Sequence, residues 1–363
     1  MAKISDVARL AGVSIATVSQ TLSGNRPVSE ATKAKVRAAA ARLGYRPNHV
    51  ARAMVTGRTH TLGLLVPDIA NPFFAELVRA VERTAGERGY MTLVCSSDLD
   101  ALLEERYLLV MLDKHVDALL CLLGTGHRPA CLEEVVASGI PLIVMDEDLP
   151  FLPGSAYVVT VDNERGGRLA ATHLAGLGHL RIGAVAAPQA LPTAFARLSG
   201  FRHGLADFGL SLDGSAIVEA DSYTLQDGRV AAGRLLDLRP DLTALWCAND
   251  LIALGAIQAA QARGIVVPHD LSVVGFDNNF VSSLVTPTLT TIGQPLTRMG
   301  STAANLAVDL VEGNPAASRR IQLDVELIVR SSTARVARRD VIPTRRADSS
   351  RRESTSPEIR EGG

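Results

Sequence analysis

Along the first 46 residues, apolar positions recur with helical spacing, whereas from Leu62 onward they come in short unbroken runs. Ile4, Val7, Ala8 and Ala11 fall at i, i+3, i+4 and i+7, one face of a first helix that Gly12 ends. Ser14 is placed to cap a second helix with Val18 and Leu22 on its inner side. After the turn Gly24-Asn25-Arg26-Pro27, Ser29 caps a third helix, whose apolar face is Val36, Ala39, Ala40 and Leu43 and which Gly44 closes. Helix, tight glycine turn, helix and supporting helix is the helix-turn-helix layout, whose second helix enters the major groove of DNA. The opening segment is therefore predicted to fold only as far as is needed to present the helix that begins at Ser14.

Residues 47–61 read PNHVARAMVTGRTHT, in which Asn48 to Val55 could form a helix too short to be stable alone in water. Such a segment is either a plain tether or one that orders on its partner. Beyond it, apolar strands alternate with helical stretches: LGLLV (62–66), MTLVC (91–95), DALLCLL (117–123), PLIVM (141–145), YVVTV (157–161), RIGAVA (181–186), TALWC (243–247) and DLSVVGF (270–276). Continuous rather than alternating runs predict strands covered on both faces, hence an α/β body with parallel sheets between helices. The strand number exceeds what one such sheet comfortably holds, so two similar lobes are expected. A ligand of such a fold lies outside the C-terminal ends of the strands. The tail from Val336 is rich in Arg, Ser, Asp and Glu without apolar period and reads as disordered.

Charge changes the picture. The net formal charge of the 363 residues is −1, yet the first 60 hold ten Lys and Arg against Asp6 and Glu30, leaving 27 basic and 36 acidic residues in the rest. A basic first sixth on an acidic body suits a phosphate-binding headpiece. The start, MAKISDVARL, has no apolar h-region and no run approaches the length of a membrane span, so a cytoplasmic protein with no membrane partner is expected. Cys95, Cys121, Cys131 and Cys247 form no CxxC or CxxH pair and read as buried free thiols. Neither GxxxxGK[ST], HExxH, GxSxG nor a complete GxGxxG occurs, and His173, His179 and His203 lack metal-ligand spacing. No catalytic residue, metal or cofactor is expected; His179 reads as a helix-end or turn residue.

Several stretches in order resemble the LacI/GalR family of transcriptional regulators, the lactose-, galactose- and purine-repressor type. They are DVARLAGVSIATVSQTL, VSEATKAKV, LGYRPN, VARAM, GRTHTLGLLVPDIANPFF, VDNERGGRLAATHLAGLGHLRIG, RLSGF, ANDLIALGAI, VPHDLSVVGFDN and TPTLTTI. The resemblance runs from Ile4 to Ser332. It implies a helix-turn-helix domain at 1–46, a hinge helix and linker at 47–60, and a periplasmic-binding-protein-like core. One core subdomain would be 61–160 with 292–322, the other 161–291 with 323–335, and the tail 336–363. Such proteins bind a pseudo-palindromic operator in double-stranded DNA as homodimers or dimers of dimers. A small effector, a sugar or related metabolite, sits between the lobes and controls them allosterically.

By the same resemblance, Ile15, Ala16 and Gln20 read bases, Ser14, Thr17 and Ser19 position the helix on phosphates, and Arg26 is a further DNA contact. Gln pairs bidentately with adenine, while Ile and Ala offer only apolar contact to a thymine methyl. Many relatives carry Arg at the position of Gln20, so adenine replaces guanine in the expected operator there. Met54 matches the residue that the hinge helix wedges into the minor groove, with Val50 at the hinge–hinge contact and Arg52 on the backbone. The effector pocket is implied to be Phe73, Phe74, Asp146, Arg197, Tyr223, Asn249 and Asp277, with Arg197 and Asp277 also able to form a buried ion pair that bridges the lobes without touching a ligand. Relatives that bind sugars often have Asp-Arg where this chain has Asp146-Glu147, and the purine-binding type has Arg at the position of Leu191. A sugar-like effector is favoured over a purine. The rival readings are the solute-binding receptor of a transport system, which shares the two-lobed core, and an enzyme on the same sheets.

Overall fold

The computed structural model describes residues 2–23, 28–45, 57–314 and 316–336. The headpiece consists of α1 (Ile4–Ala11), α2 (Ile15–Ser23) and α3 (Glu30–Leu43). Val7, Ala8, Val18, Val36, Ala39 and Ala40 make its core, with Ile4, Ala11, Val13, Leu22 and Tyr45 packed around them. Leu43, expected on that inner face, is exposed instead, because α3 is ending there and Tyr45 packs on the cluster. Gly12 turns the chain between α1 and α2 at φ 66°, a left-handed conformation that strains any residue with a Cβ. The next amide, Val13 N–H, then closes on the Ala8 carbonyl at 3.1 Å.

The body follows the chain as β1 (Thr61–Val66), α4 (Pro72–Glu87), β2 (Met91–Ser96), α5 (Ala101–Asp113), β3 (Ala118–Cys121), α6 (Leu132–Ala137), β4 (Leu142–Met145) and β5 (Tyr157–Val161). It continues as α7 (Asn163–Gly176), β6 (Ile182–Ala186), α8 (Pro192–Ala206), β7 (Ile217–Glu219), α9 (Leu225–Leu238), β8 (Ala244–Cys247) and α10 (Asp250–Gln261). Last come β9 (Ser272–Asp277), β10 (Thr290–Gly293), α11 (Leu296–Glu312), β11 (Arg320–Leu323) and β12 (Glu326–Ile328). Two six-stranded sheets result, ordered β11-β5-β4-β3-β1-β2 and β12-β10-β9-β8-β6-β7. Among the described residues all strand pairings are parallel except β10 with β12.

Each run named in the sequence becomes a strand, but coverage on both faces fails at β2. It lies at a sheet edge and leaves Met91 71% exposed. The strands β7, β10, β11 and β12 lie outside the expected series; β7, β11 and β12 are edge strands and β10 is next to one, with polar or short sequences such as RIQL and ELI. The chain passes from one sheet's elements to the other's at 161–163, 293–296 and 323–326. Each ladder continues to the strand's last residue, as in Gly293 opposite Asp277 and Leu323 opposite Val161. All four cysteines are free, Cys121, Cys131 and Cys247 being buried and Cys95 half-buried. His179 lies in the turn after α7, buried, with its ring nitrogens 3.0 Å from Thr243 Oγ1 and from the Ala334 carbonyl. No helix among the described residues is long and apolar enough to cross a membrane.

In the second lobe α7 and α8 pack backbone to backbone. A Cβ on Gly167 would land on the Arg197 carbonyl and one on Gly200 on the backbone of Glu164. That close approach brings Asn163 on α7 within reach of Arg197 on α8. Gly200→Ala should therefore cost about 1–3 kcal/mol or more of stability, since the obstacle is backbone that cannot swing away. Gly176→Ala, at a helix end with open space around it, should leave the urea midpoint unchanged or raised.

Candidate functional site

The expected site residues fall on a surface of the headpiece and in a cavity of the body. On α2, Ser14, Ile15, Ala16 and Ser19 are exposed, Thr17 and Gln20 are half-buried, and Val18 faces the core. Ile15 is 52% exposed although it is a large aliphatic residue, so the helix presents apolar surface at its N-terminal end. Ser14 Oγ accepts from Thr17 N–H at 3.1 Å and lies 2.9 Å from Thr17 Oγ1. Both side chains thus serve the helix start, and a phosphate contact from either would share that arrangement. Arg26, Val50, Arg52 and Met54 lie outside the described residues.

The C-terminal ends of the two sheets face each other across an open-mouthed cavity of about 760 Å³, all of its empty space counted. Phe73, Phe74, Asp146, Arg197, Tyr223, Asn249 and Asp277 all line it. From the first lobe, the chain leaves β1 through Pro67 and Asp68. Asn71 then caps α4, its Oδ1 accepting from Phe73 N–H at 3.0 Å, which aims Phe73 and Phe74 into the cavity with their rings edge to face, 5.1 Å apart. Asp146 follows β4 at φ 72°, a left-handed conformation uncommon for a residue with a Cβ and held here by the hydrogen bond from Asp146 N–H to Val159 O.

From the second lobe, α8 supplies Arg197, 3% exposed. Its Nε donates to Asn163 Oδ1 at 2.8 Å, and its Nη1 donates to the Ala248 carbonyl at 3.0 Å and to Asp277 Oδ1 at 3.4 Å. The guanidinium carbon also stands 3.9 Å from the centre of the Phe276 ring. Arg197 and Asp277 therefore sit in the same lobe. Asp277 ends β9 at φ 116° and also accepts from Gln294 Nε2 at 2.8 Å. Asn249 is committed to structure: its Oδ1 caps α10 by accepting from Ile252 N–H, and its Nδ2 donates to the Tyr223 carbonyl.

Several lining residues were not singled out from sequence as contacts, among them Glu147, Thr193, Asp68 and Leu251. Glu147 is the most consequential. It belongs to the first lobe, yet its carboxylate accepts from both the N–H and the hydroxyl of Thr193, in the first turn of α8 in the second. That helix has Leu191 at its N-cap and no side-chain cap of its own, so the carboxylate supplies one from across the cleft. The signal was the run of three acids, Asp146-Glu147-Asp148, directly after the apolar run PLIVM. Burial pushes both Glu147 and Asp277 up to about 7, and the Asp146 charge nearby adds to the rise in each; Arg197 opposes it. Asp146 is raised by burial as well, against the pull of Arg197. Among the described residues no group of three or more His, Cys, Asp or Glu could hold a metal ion.

Residues 3–48 match the bacterial regulatory proteins of the lacI family, and residues 171–333 match a periplasmic binding protein-like domain. The HTH-type transcriptional regulator DegA of Bacillus subtilis is 38% identical over 333 residues, spanning 91% of this chain and 98% of that protein. Among solved structures, the lac repressor dimer bound to operator and the anti-inducer ONPF is similar with a TM-score of 0.79 at 28% identity, over 92% of this chain and 99% of that one. The complex of the transcriptional regulator CelR with cellobiose has a TM-score of 0.70 at 33% identity, over 92% and 100%.

Glu147 gives this site a measurable pH signature. An unfolded glutamate titrates near 4.5, so between that value and about 7 the folded chain holds a proton that the unfolded chain has released. Stability then falls as pH rises through that window. Glu147→Gln keeps an acceptor for Thr193 and removes the charge. Its melting temperature should exceed that of the parent by several degrees at about pH 8 and match it at about pH 4, where the glutamate is protonated in both states. A parent whose advantage grows with pH would contradict the buried, proton-holding carboxylate.

Proposed function

The chain belongs to the lacI family of bacterial regulatory proteins, and from that premise we propose how its parts share the work of a DNA-binding transcription regulator. Its relatives are regulators, not enzymes, and the lacI-type headpiece at 3–48 sets it apart from a transport receptor. Acting in the cytoplasm as a repressor, a homodimer would place two copies of α2 in successive major grooves of a pseudo-palindromic operator, with half-sites about one helical turn apart. Ile15 and Ala16 would press on thymine methyls and Gln20 would pair with adenine. Ser14, Thr17, Ser19 and Arg26 would hold phosphates. Between headpiece and body, Val50, Arg52 and Met54 would form the hinge contacts at the operator centre, Met54 wedging into the minor groove.

The body would bind a small polyhydroxylated effector between its lobes. The observation that carries this reading is the convergence of Phe73, Phe74 and Asp146 from one lobe with Arg197, Tyr223 and Asp277 from the other on one cavity. Rings supply stacking faces for a sugar-like skeleton, and the charged groups orient its hydroxyls. Because both lobes contribute, the ligand favours one lobe arrangement over the other and so biases whether two hinge segments can meet on DNA.

Two experiments test this division. Site selection from a random duplex pool should return a two-fold operator, and Gln20→Arg should change one position per half-site from adenine to guanine, with discrimination of about 1–3 kcal/mol. An unchanged logo would remove Gln20 from base reading. Arg197→Ala should retain operator affinity within about threefold at fixed salt while losing the effector's influence on it. An Arg197→Ala protein that still responds would place the effector elsewhere.

A further inference from the structure

The charge inside the interlobe cavity is out of balance. Asp68, Asp146, Glu147 and Asp277 line it against one cation, Arg197. That guanidinium is already engaged by Asn163, the Ala248 carbonyl, Asp277 and the Phe276 ring. Three of the acids have partners: Asp68 accepts from Ala70 N–H, Glu147 from Thr193, and Asp277 from Gln294 and Arg197. Asp146 differs, for its Oδ1 is buried and accepts no hydrogen bond. It stands at the electrostatic centre of the group, since its charge bears on both Glu147 and Asp277. Withdrawn from water, a carboxylate in such company requires either a proton or a counter-charge.

Resting on the reading that the effector binds in this cavity, we infer that the effector is a small polyhydroxylated molecule bearing an ammonium group, which Asp146 receives as counter-ion with Glu147 and Asp277 beside it. An ammonium donates three hydrogen bonds and would supply the donor that Asp146 Oδ1 lacks. It would also offset the negative charge that burial penalises on these acids. An anionic effector, such as a phosphate ester, meets four acids and one cation whose Nε and Nη1 are already engaged, so the balance of charge disfavours it. Phe73 and Phe74 keep their place under the carbon skeleton.

The test uses the full chain and matched probes. Glucosamine, galactosamine and mannosamine are each compared by calorimetry with the parent hexose and the hexose 6-phosphate, at fixed salt near neutral pH. One amino sugar should bind at least about tenfold tighter than its parent, and no 6-phosphate should bind better than either. Asp146→Asn should remove the preference for the amine, weakening the amino sugar at least about tenfold more than the parent hexose. Glu147→Gln, which keeps the acceptor for Thr193, should narrow the preference. A parent hexose that binds as tightly as its amine, a 6-phosphate that binds best, or a panel without binding overturns the inference. Arg197→Ala separates that failure from failure of the cavity itself. If a neutral hexose binds and Arg197→Ala loses it, the cavity stands and only the ligand class falls. Should a ligand bind Arg197→Ala as tightly as the parent, the interlobe reading falls with it.

Discussion

A guanidinium taken almost wholly out of water sets the terms for the rest of the second lobe. At 3% exposure Arg197 has exchanged its hydration for donors and acceptors fixed by the fold: Asn163 on α7, the carbonyl after β8 and the carboxylate ending β9. Removing any one partner leaves a buried charge short of a bond, which is costlier than never having buried it. The three segments are therefore held to one another through a single side chain. The glycine contacts between α7 and α8 belong to the same constraint, because a wider helix spacing would carry Asn163 away from Nε. Packing and polar satisfaction point to one geometry, and that geometry forms one wall of the cavity.

The opposite wall is joined to it by carboxylates as well. Glu147 reaches from the first lobe to the start of α8, and Glu76 on α4 accepts from Phe280 N–H at 2.9 Å in the second. Each links an acid to a backbone amide across the cleft. The two differ in setting: Glu147 is 4% exposed and costly to keep charged, whereas the Phe280 end of the other contact is open to solvent. Only the first therefore ties lobe closure to the charge inside the cavity.

Much of this was legible in the sequence. Apolar runs marked the principal strands, and Gly12, Ser14, Ser29 and Gly44 marked the headpiece because caps and left-handed turns leave a local signature. Edge strands such as β11 and β12 were missed, since a strand paired on one side only need not be apolar. The seven expected cavity residues came from a resemblance, and all of them line one cavity. What escaped was relational. Glu147 could be seen to replace a cation, but its bond to Thr193 joins residues 46 apart in the chain and depends on how the lobes sit. Asn249, expected to grip a ligand, turned out to spend its amide on a helix cap, a role that the pair Asn249-Asp250 before an apolar run also announces.

The cross-lobe bonds bear on how a ligand can act at all. A ligand shifts a two-state equilibrium only by the difference in its affinity for the two states. Because Glu147 and Glu76 already join the lobes, the arrangement described here has a bias of its own before any ligand contributes. A hydrogen bond to a charged group contributes about 1.5–3 kcal/mol, and the cost of burying that charge is set against it. A ligand held by Asp146 on one side and Arg197 on the other adds to the same arrangement. A cation there would also lower the cost of keeping Glu147 ionised, strengthening the latch that closes over it. Ligand and latch are then coupled through charge inside one cavity, and the effector's influence on the lobes need not travel further than the first turn of α8.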